Sequence, residues 1–308
     1  MSREMGEAMS RRRFRTTAGM GVAVLLLTAM TAACTPPAPY AGPPTKDVSF
    51  AANSVTVNSS NDKGVCVFGV CVPPANDEPF VINVWFRMKI GVANSATTGV
   101  VTGDNAWPGT FDQGPGEGQS HTYTGGQQGT VNFSGMSTPD VGDLLQGAPV
   151  EIAGVWSWKM EADLIGVGSV ATTAANALKT VLNDVLGGAT LPSDASQIVS
   201  LILNALGGVG NGFATLASTI ASIIPFGPSD DGMGSAFYIG VGASGTLSDI
   251  ITSTAGSVAF PSIAIPVVSV PPDIGGGAIF SLGASHSFSN NYTNGGVSGQ
   301  HTTSYTFG

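Results

Sequence analysis

Charge is what this chain has least of. Asp, Glu, Lys and Arg make up only 10% of its 308 residues, and histidine occurs three times. That leaves little material for acid–base chemistry, and the G-x-S-x-G, H-E-x-x-H and C-x-x-C-H patterns of nucleophile elbows, zinc proteases and haem attachment are absent. Basic residues are scarcer still in the body of the chain. Residues 1–33 hold five Arg and two Glu of a chain whose net charge is −9, so the remainder carries −12 with only six Lys or Arg. Such a balance excludes the basic footprint of a nucleic-acid partner or of adsorption to an anionic membrane surface. No uninterrupted apolar run reaches the roughly 20 residues of a membrane-spanning helix. Cysteine is limited to Cys34, Cys66 and Cys71.

What is abundant is glycine, at 43 residues, together with uncharged Ser, Thr, Asn and Gln. That mixture is common in exported β-rich proteins. Alternation marks two strands. Phe80, Ile82, Val84, Phe86, Met88 and Ile90 share one face, with Asn83, Arg87 and Lys89 opposite. Val150, Ile152, Trp156, Trp158 and Met160 share another, with Glu151, Lys159 and Glu161 expected on a solvated side. Residues 91–149 read as long loops with short strands such as 129–133. Helical spacing follows from Val170 through Leu178 and Leu182 to a Gly187-Gly188 stop, and two further apolar helices are expected before Pro225. Strand signals return at 236–243, 263–270 and 278–288. Asn294-Gly295 marks a tail hairpin carrying Phe288, Tyr292, Tyr305 and Phe307. The reading is an α+β, mainly β fold: an antiparallel β-sandwich with a helical insertion at about 168–226, in a single domain over 46–308.

The first 45 residues read as an address. Ser10-Arg11-Arg12-Arg13-Phe14 precedes an apolar stretch from Ala18 to Ala33, then Cys34 and a proline-rich segment to Pro44. A charged region, a short apolar region and a small-residue cleavage site form an export signal. The paired Arg11 and Arg12 resemble the twin-arginine export class. Thr31-Ala32-Ala33-Cys34 resembles the lipobox of bacterial lipoproteins. The resemblance implies a signal over 1–33, a chain exported folded, and a mature protein lipidated at Cys34 on the outer face of the cell membrane. Two acyl chains make such an anchor stable. Residues 34–45 would then be a stiff tether of about 3 Å per residue.

Candidate chemistry is thin. With Cys34 spent on lipid, Cys66 and Cys71 flank a glycine-containing turn and are expected to form a disulfide, contributing about 2 kcal/mol. The apolar hairpin 195–226 is charge-free and is the segment from which a membrane-active or pore-forming role would come. Asp230 and Asp231, in a glycine loop, are the candidate ligands for calcium as a cofactor. Gly240-Val241-Gly242-Ala243-Ser244-Gly245 matches G-x-G-x-x-G, with no β-α-β pattern legible around it, and reads as chance in a glycine-rich chain. His286 and His301 are placed to face one another across the tail hairpin as a metal pair. Trp107 and the tail aromatics are candidate sugar contacts, and Glu161 the candidate acid of a carboxylate-dependent hydrolase.

The leading expectation is a non-catalytic binding or scaffold domain of the cell envelope, with a protein or glycan partner. The membrane-active hairpin and an exported hydrolase are its alternatives. Replacing Cys34 by Ala should move the exported protein from the membrane to the soluble fraction. Retention at the membrane would remove the lipid anchor from consideration.

Overall fold

The computed structural model describes residues 40–59, 66–67, 70–71, 78–104, 114–161, 168–190, 232–255, 274–293 and 299–308. Arg11, Arg12, Cys34, Trp107, the 195–226 hairpin, the 263–270 strand, Asp230 and Asp231 lie outside those residues. Two five-stranded sheets form the body. Sheet I runs β11 (His286–Thr293), β12 (Gln300–Phe307), β1 (Thr45–Ser59), with β6 (Ser120–Thr122) and β7 (Val131–Ser137) both along the far side of β1. Sheet II runs β10 (Ile274–Ser281), β9 (Gly232–Val241), β8 (Glu151–Glu161), β4 (Pro79–Lys89), β5 (Thr97–Thr102). A separate two-strand ladder, β2 (Cys66–Val67) with β3 (Val70–Cys71), sets Cys66 opposite Cys71.

Sheet II lies in the middle of a three-layer stack. Its first face takes Phe86, Trp156, Trp158, Phe237 and Ile239 against two helices. These are α2 (Gly168–Leu186), which presents Ala174, Leu178 and Leu182, and α3 (Gly245–Ala255), which presents Leu247 and Ile251. The i, i+4 spacing of those residues gives each helix one apolar stripe, as burial against a sheet demands. Trp156 stacks on Phe237 at 5.2 Å and donates Nε1–H to Ser235 Oγ at 2.8 Å. The second face of sheet II meets sheet I across an aromatic layer. Phe50 lies 5.4 Å from both Tyr238 and Tyr305, and Phe280 lies 5.1 Å from Phe288 and Phe307.

Double coverage overturns one expectation. Glu151, Lys159 and Glu161 are not solvated; they are 2%, 0% and 3% exposed. Alternation of polar and apolar residues marks the two faces of a strand correctly, yet it does not say that the polar face meets water. Here sheet I covers it. Glu151 Oε1 accepts from Arg87 Nε at 2.7 Å, and Oε2 accepts from Ser137 N at 2.7 Å. Lys159 Nζ donates to the Tyr123 hydroxyl and sits 5.1 Å from its ring centroid, while that hydroxyl donates to the Pro79 carbonyl at 3.0 Å. Buried charge is tolerated where such partners replace water.

The antiparallel reading also needs one amendment. β9 and β10 pair parallel, joined through α3, whereas the other described pairs are antiparallel. Parallel neighbours require a crossover, and the helix supplies it. The expected strand 278–288 is two strands: β10 ends at Ser281, and after a turn the chain enters the other sheet as β11.

The outer face of sheet I is made of uncharged polar residues in register. Ser289, Ser304, Ser54 and Thr122 form one cross-strand row. Asn291, Thr302, Thr56 and Ser120 form the next. Side chains bond across the strands: within rows, Ser54 Oγ to Ser304 Oγ at 2.7 Å and Thr56 Oγ1 to Ser120 Oγ at 2.7 Å, and into the Thr302 row from its neighbour, Asn58 Nδ2 donating to Thr302 Oγ1 at 2.8 Å. A bulge at Asn53 shifts the phase of β1 between Ala52 and Ser54, and Asn53 Nδ2 donates to Thr306 Oγ1 at 2.7 Å.

Four of the five tyrosines are buried, and burial pushes Tyr123, Tyr238, Tyr292 and Tyr305 above the ordinary phenol value. The unfolded chain gives up these protons near pH 10, while the folded chain holds them. Stability is therefore fully present below about pH 10 and lost as pH rises above it. Alkaline titration should show tyrosinate absorbance rising together with loss of β-sheet circular dichroism. Smooth ionisation of four phenols without unfolding would contradict the buried cluster.

Candidate functional site

The G-x-G-x-x-G stretch sits where its pattern calls for a strand and a helix. β9 leads through Gly242, Ala243 and Ser244 into α3, and α3 returns to β10 parallel to β9. The β-α-β context not legible in sequence is present. The glycines nonetheless serve packing. A Cβ on Gly240 would collide with the Leu282 side chain, and one on Gly242 with the Ser137 carbonyl, with Glu151 O also only 3.0 Å away. Gly245 has φ +50°, the left-handed conformation that lets the chain turn into the helix. The approach that a dinucleotide phosphate needs is filled by protein backbone.

At the carboxyl ends of β9 and β10, beside α3, lies a cleft of about 510 Å³. Its walls are Ser244, Gly245, Ser248, Asp249 and Thr252 from α3 and its approach, and Ser281, Gly283, Ala284 and His286 from the β10–β11 turn. Outside the carboxyl ends of parallel strands is where open α/β sheets bind ligands. Ser248 Oγ and Ser281 Oγ lie 2.7 Å apart, and Gly283 N donates to Ser281 Oγ at 3.2 Å. His286 Nε2 is 3.0 Å from the Ser281 carbonyl oxygen. A carbonyl only accepts, so Nε2 carries the proton. The ring packs 4.7 Å from Phe280. The turn is held from the far side by Lys46 Nζ, which donates to Leu282 O at 3.0 Å.

Chemically, this is a hydrogen-bonding cleft with two hydroxyls in contact, one ordered imidazole and one carboxylate. The serine hydroxyls pair with one another, not with the imidazole, so the geometry is not that of a base activating a nucleophile. Among the described residues, no Lys or Arg lines it. A second cleft, of about 480 Å³, is lined by Arg87, Lys89, Val92, Ser95, Thr97 and Glu151. There Arg87 is committed to Glu151 and to the carbonyls of Ser134 and Gly135, at 2.6 and 3.0 Å, which tie β4 to β7 and β8.

The other candidates are placed as follows. His286 and His301 do not meet: His286 is opposite Phe307, and His301 is opposite Tyr292 six residues along the hairpin. His301 is fully buried. Tyr292, Tyr305 and Phe307 are buried between the sheets, so these tail aromatics are core and not sugar platforms. Glu161 lies in the inter-sheet layer and lines neither cleft. Asp140 and Asp143 cap the short helix α1 (Val141–Leu145), each carboxylate accepting from the other's backbone N–H at 2.9 Å. Among the described residues, no group of three or more His, Cys, Asp or Glu is placed to hold a metal, and no helix is long and apolar enough to cross a membrane. No protein family, no characterised protein and no solved structure matches the chain.

If Gly242 serves packing, Gly242→Ala should cost about 1–3 kcal/mol, read as a lower urea midpoint at unchanged slope. Unaltered stability would mean that the Ser137 carbonyl is not where the fold places it.

Proposed function

We propose that this chain is an exported, lipid-tethered binding protein of the cell envelope, whose cleft between α3 and the β10–β11 turn takes a small neutral ligand rich in hydroxyl groups, such as a sugar unit. The observation that carries the reading is the cleft itself, where paired hydroxyls and an oriented imidazole converge at the carboxyl ends of two parallel strands. Its electrostatics favour a neutral ligand. Asp249 lines it, no cation among the described residues does, and the chain beyond residue 33 carries −12, so an anion meets repulsion. Hydroxyls that accept and donate match a polyol, whose own hydroxyls do both.

The tether and the address rest on Arg11, Arg12, Cys34 and the proline-rich segment that follows. A disulfide between Cys66 and Cys71 belongs to the same reading. It is supported by their opposition in the β2–β3 ladder and by the oxidising compartment that export implies.

Thermal unfolding of the full chain should rise with neutral mono- and disaccharides. A ligand at a hundred times its Kd stabilises by about 2.7 kcal/mol. His286→Ala and Ser248→Ala should abolish the shift while leaving the ligand-free transition within a few degrees. Stabilisation by inorganic phosphate alone, or sugar shifts that persist in both variants, would overturn the assignment.

A further inference from the structure

We infer that the outer face of sheet I is a docking surface for a neutral, extended polysaccharide. This surface is distinct from the cleft, and the inference stands without it.

An exposed sheet face normally carries Lys, Glu and Arg in cross-strand pairs, which keep it soluble and discourage association. Here, on the outward positions of β11, β12, β1, β6 and β7, the one ionisable side chain among the described residues is Asp47. It sits near the start of β1 with its carboxylate accepting from Gly135 N at 2.6 Å. The rows through Ser304 and Thr302 are hydroxyls and amides from edge to edge. Strands about 4.8 Å apart and an outward repeat of about 6.7 Å set these groups at regular intervals between the β1 irregularities at Ala52/Ser54 and Val57/Ser59. Cross-strand hydrogen bonds, such as Ser54 to Ser304 and Asn58 to Thr302, hold the side chains in place before any ligand arrives. Little rotamer freedom is then left to lose on binding.

The chemistry of the face selects its partner. Nucleic acid is held by Lys and Arg, and none is present. A lipid surface is held by large apolar or basic side chains, and among the described residues the outward rows offer only the small Ala51. Folded protein partners are anchored by buried aromatics, Met and Arg, yet Phe288, Tyr305 and Phe307 all face the interior. Apart from Asp47 the face offers no ion-pair partner among the described residues, while the net −12 of the chain beyond residue 33 disfavours a polyanion. What complements it is an uncharged surface that offers hydroxyls at a repeat. A neutral polysaccharide offers these, and contacts of about 0.5–1.5 kcal/mol each accumulate along a polymer that engages several rows at once.

The test is cosedimentation of the full chain with microcrystalline cellulose, chitin and an insoluble α-glucan, at about 0.1 M and about 1 M salt. Two variants probe the face. Thr56→Lys with Thr302→Glu exchanges a cross-strand pair for an ion pair of zero net charge. Ser54→Ala with Ser304→Ala removes one hydroxyl contact without added bulk. Retention by at least one of the polysaccharides should be equal at both salt concentrations, weaken about ten-fold in each folded variant, and be untouched by His286→Ala. No retention on any of the three, retention that salt abolishes, or variants that bind as well as the parent would overturn the inference. So would a concentration-dependent dimer in sedimentation velocity that both variants abolish, since it would assign the face to a second copy of the chain.

Discussion

The structure depends on β8 being covered from both sides. All eleven residues from Glu151 to Glu161 are buried, because helices α2 and α3 lie on one face of sheet II and sheet I lies on the other. A strand in that position takes its polar partners from protein and not from water, although Trp158 Nε1, buried on this strand, has no hydrogen-bond partner among the described residues. That is why a chain poor in charge spends several of its charges internally. Arg87 meets Glu151, Lys159 meets Tyr123, and Lys46 reaches the Leu282 carbonyl. With those side chains turned inward, the exposed sheet is left to Ser, Thr and Asn. The uncharged outer face and the buried charges are two results of one allocation.

The cleft follows from the same layering. β10 belongs to sheet II and β11 to sheet I, so the turn between them crosses from one sheet to the other. At that crossing the end of β10, the first turns of α3 and the start of β11 leave a gap that no described element fills. Its position is thus fixed by topology, and its polarity by Ser248, Ser281 and His286.

Much of the fold is legible in the sequence. The alternations over 80–90 and 150–161 give β4 and β8, the spacing of Ala174, Leu178 and Leu182 gives α2, and the tail gives the β11–β12 pair. β1 is harder to see, because its apolar phase slips at Asn53: Val48, Phe50 and Ala52 alternate, then Val55 and Val57 resume one residue late. α3 is concealed by Thr and Ile, which favour strands. The solvation of Glu151, Lys159 and Glu161 is not a local property at all, since it depends on which layer lands above them. The same holds for the cleft. Its two sides are about thirty residues apart in the chain, and the glycine pattern beside it marks close packing of β9 against Leu282 and Ser137.

Sheet I joins the earliest described strand to the last. Phe50 of β1 lies opposite Phe307 of β12. At synthesis rates of about 5–20 residues per second, β1 waits roughly 10–50 s before its partner exists. Through that interval the Phe50 side of β1 lacks the β12 edge that closes over it, and Phe50 lacks its contacts with Tyr305 and Phe307. The arrival of β12 therefore acts as a clock for sheet I: until it emerges, β1 is held by β6 and β7 on one side and its other edge stays open.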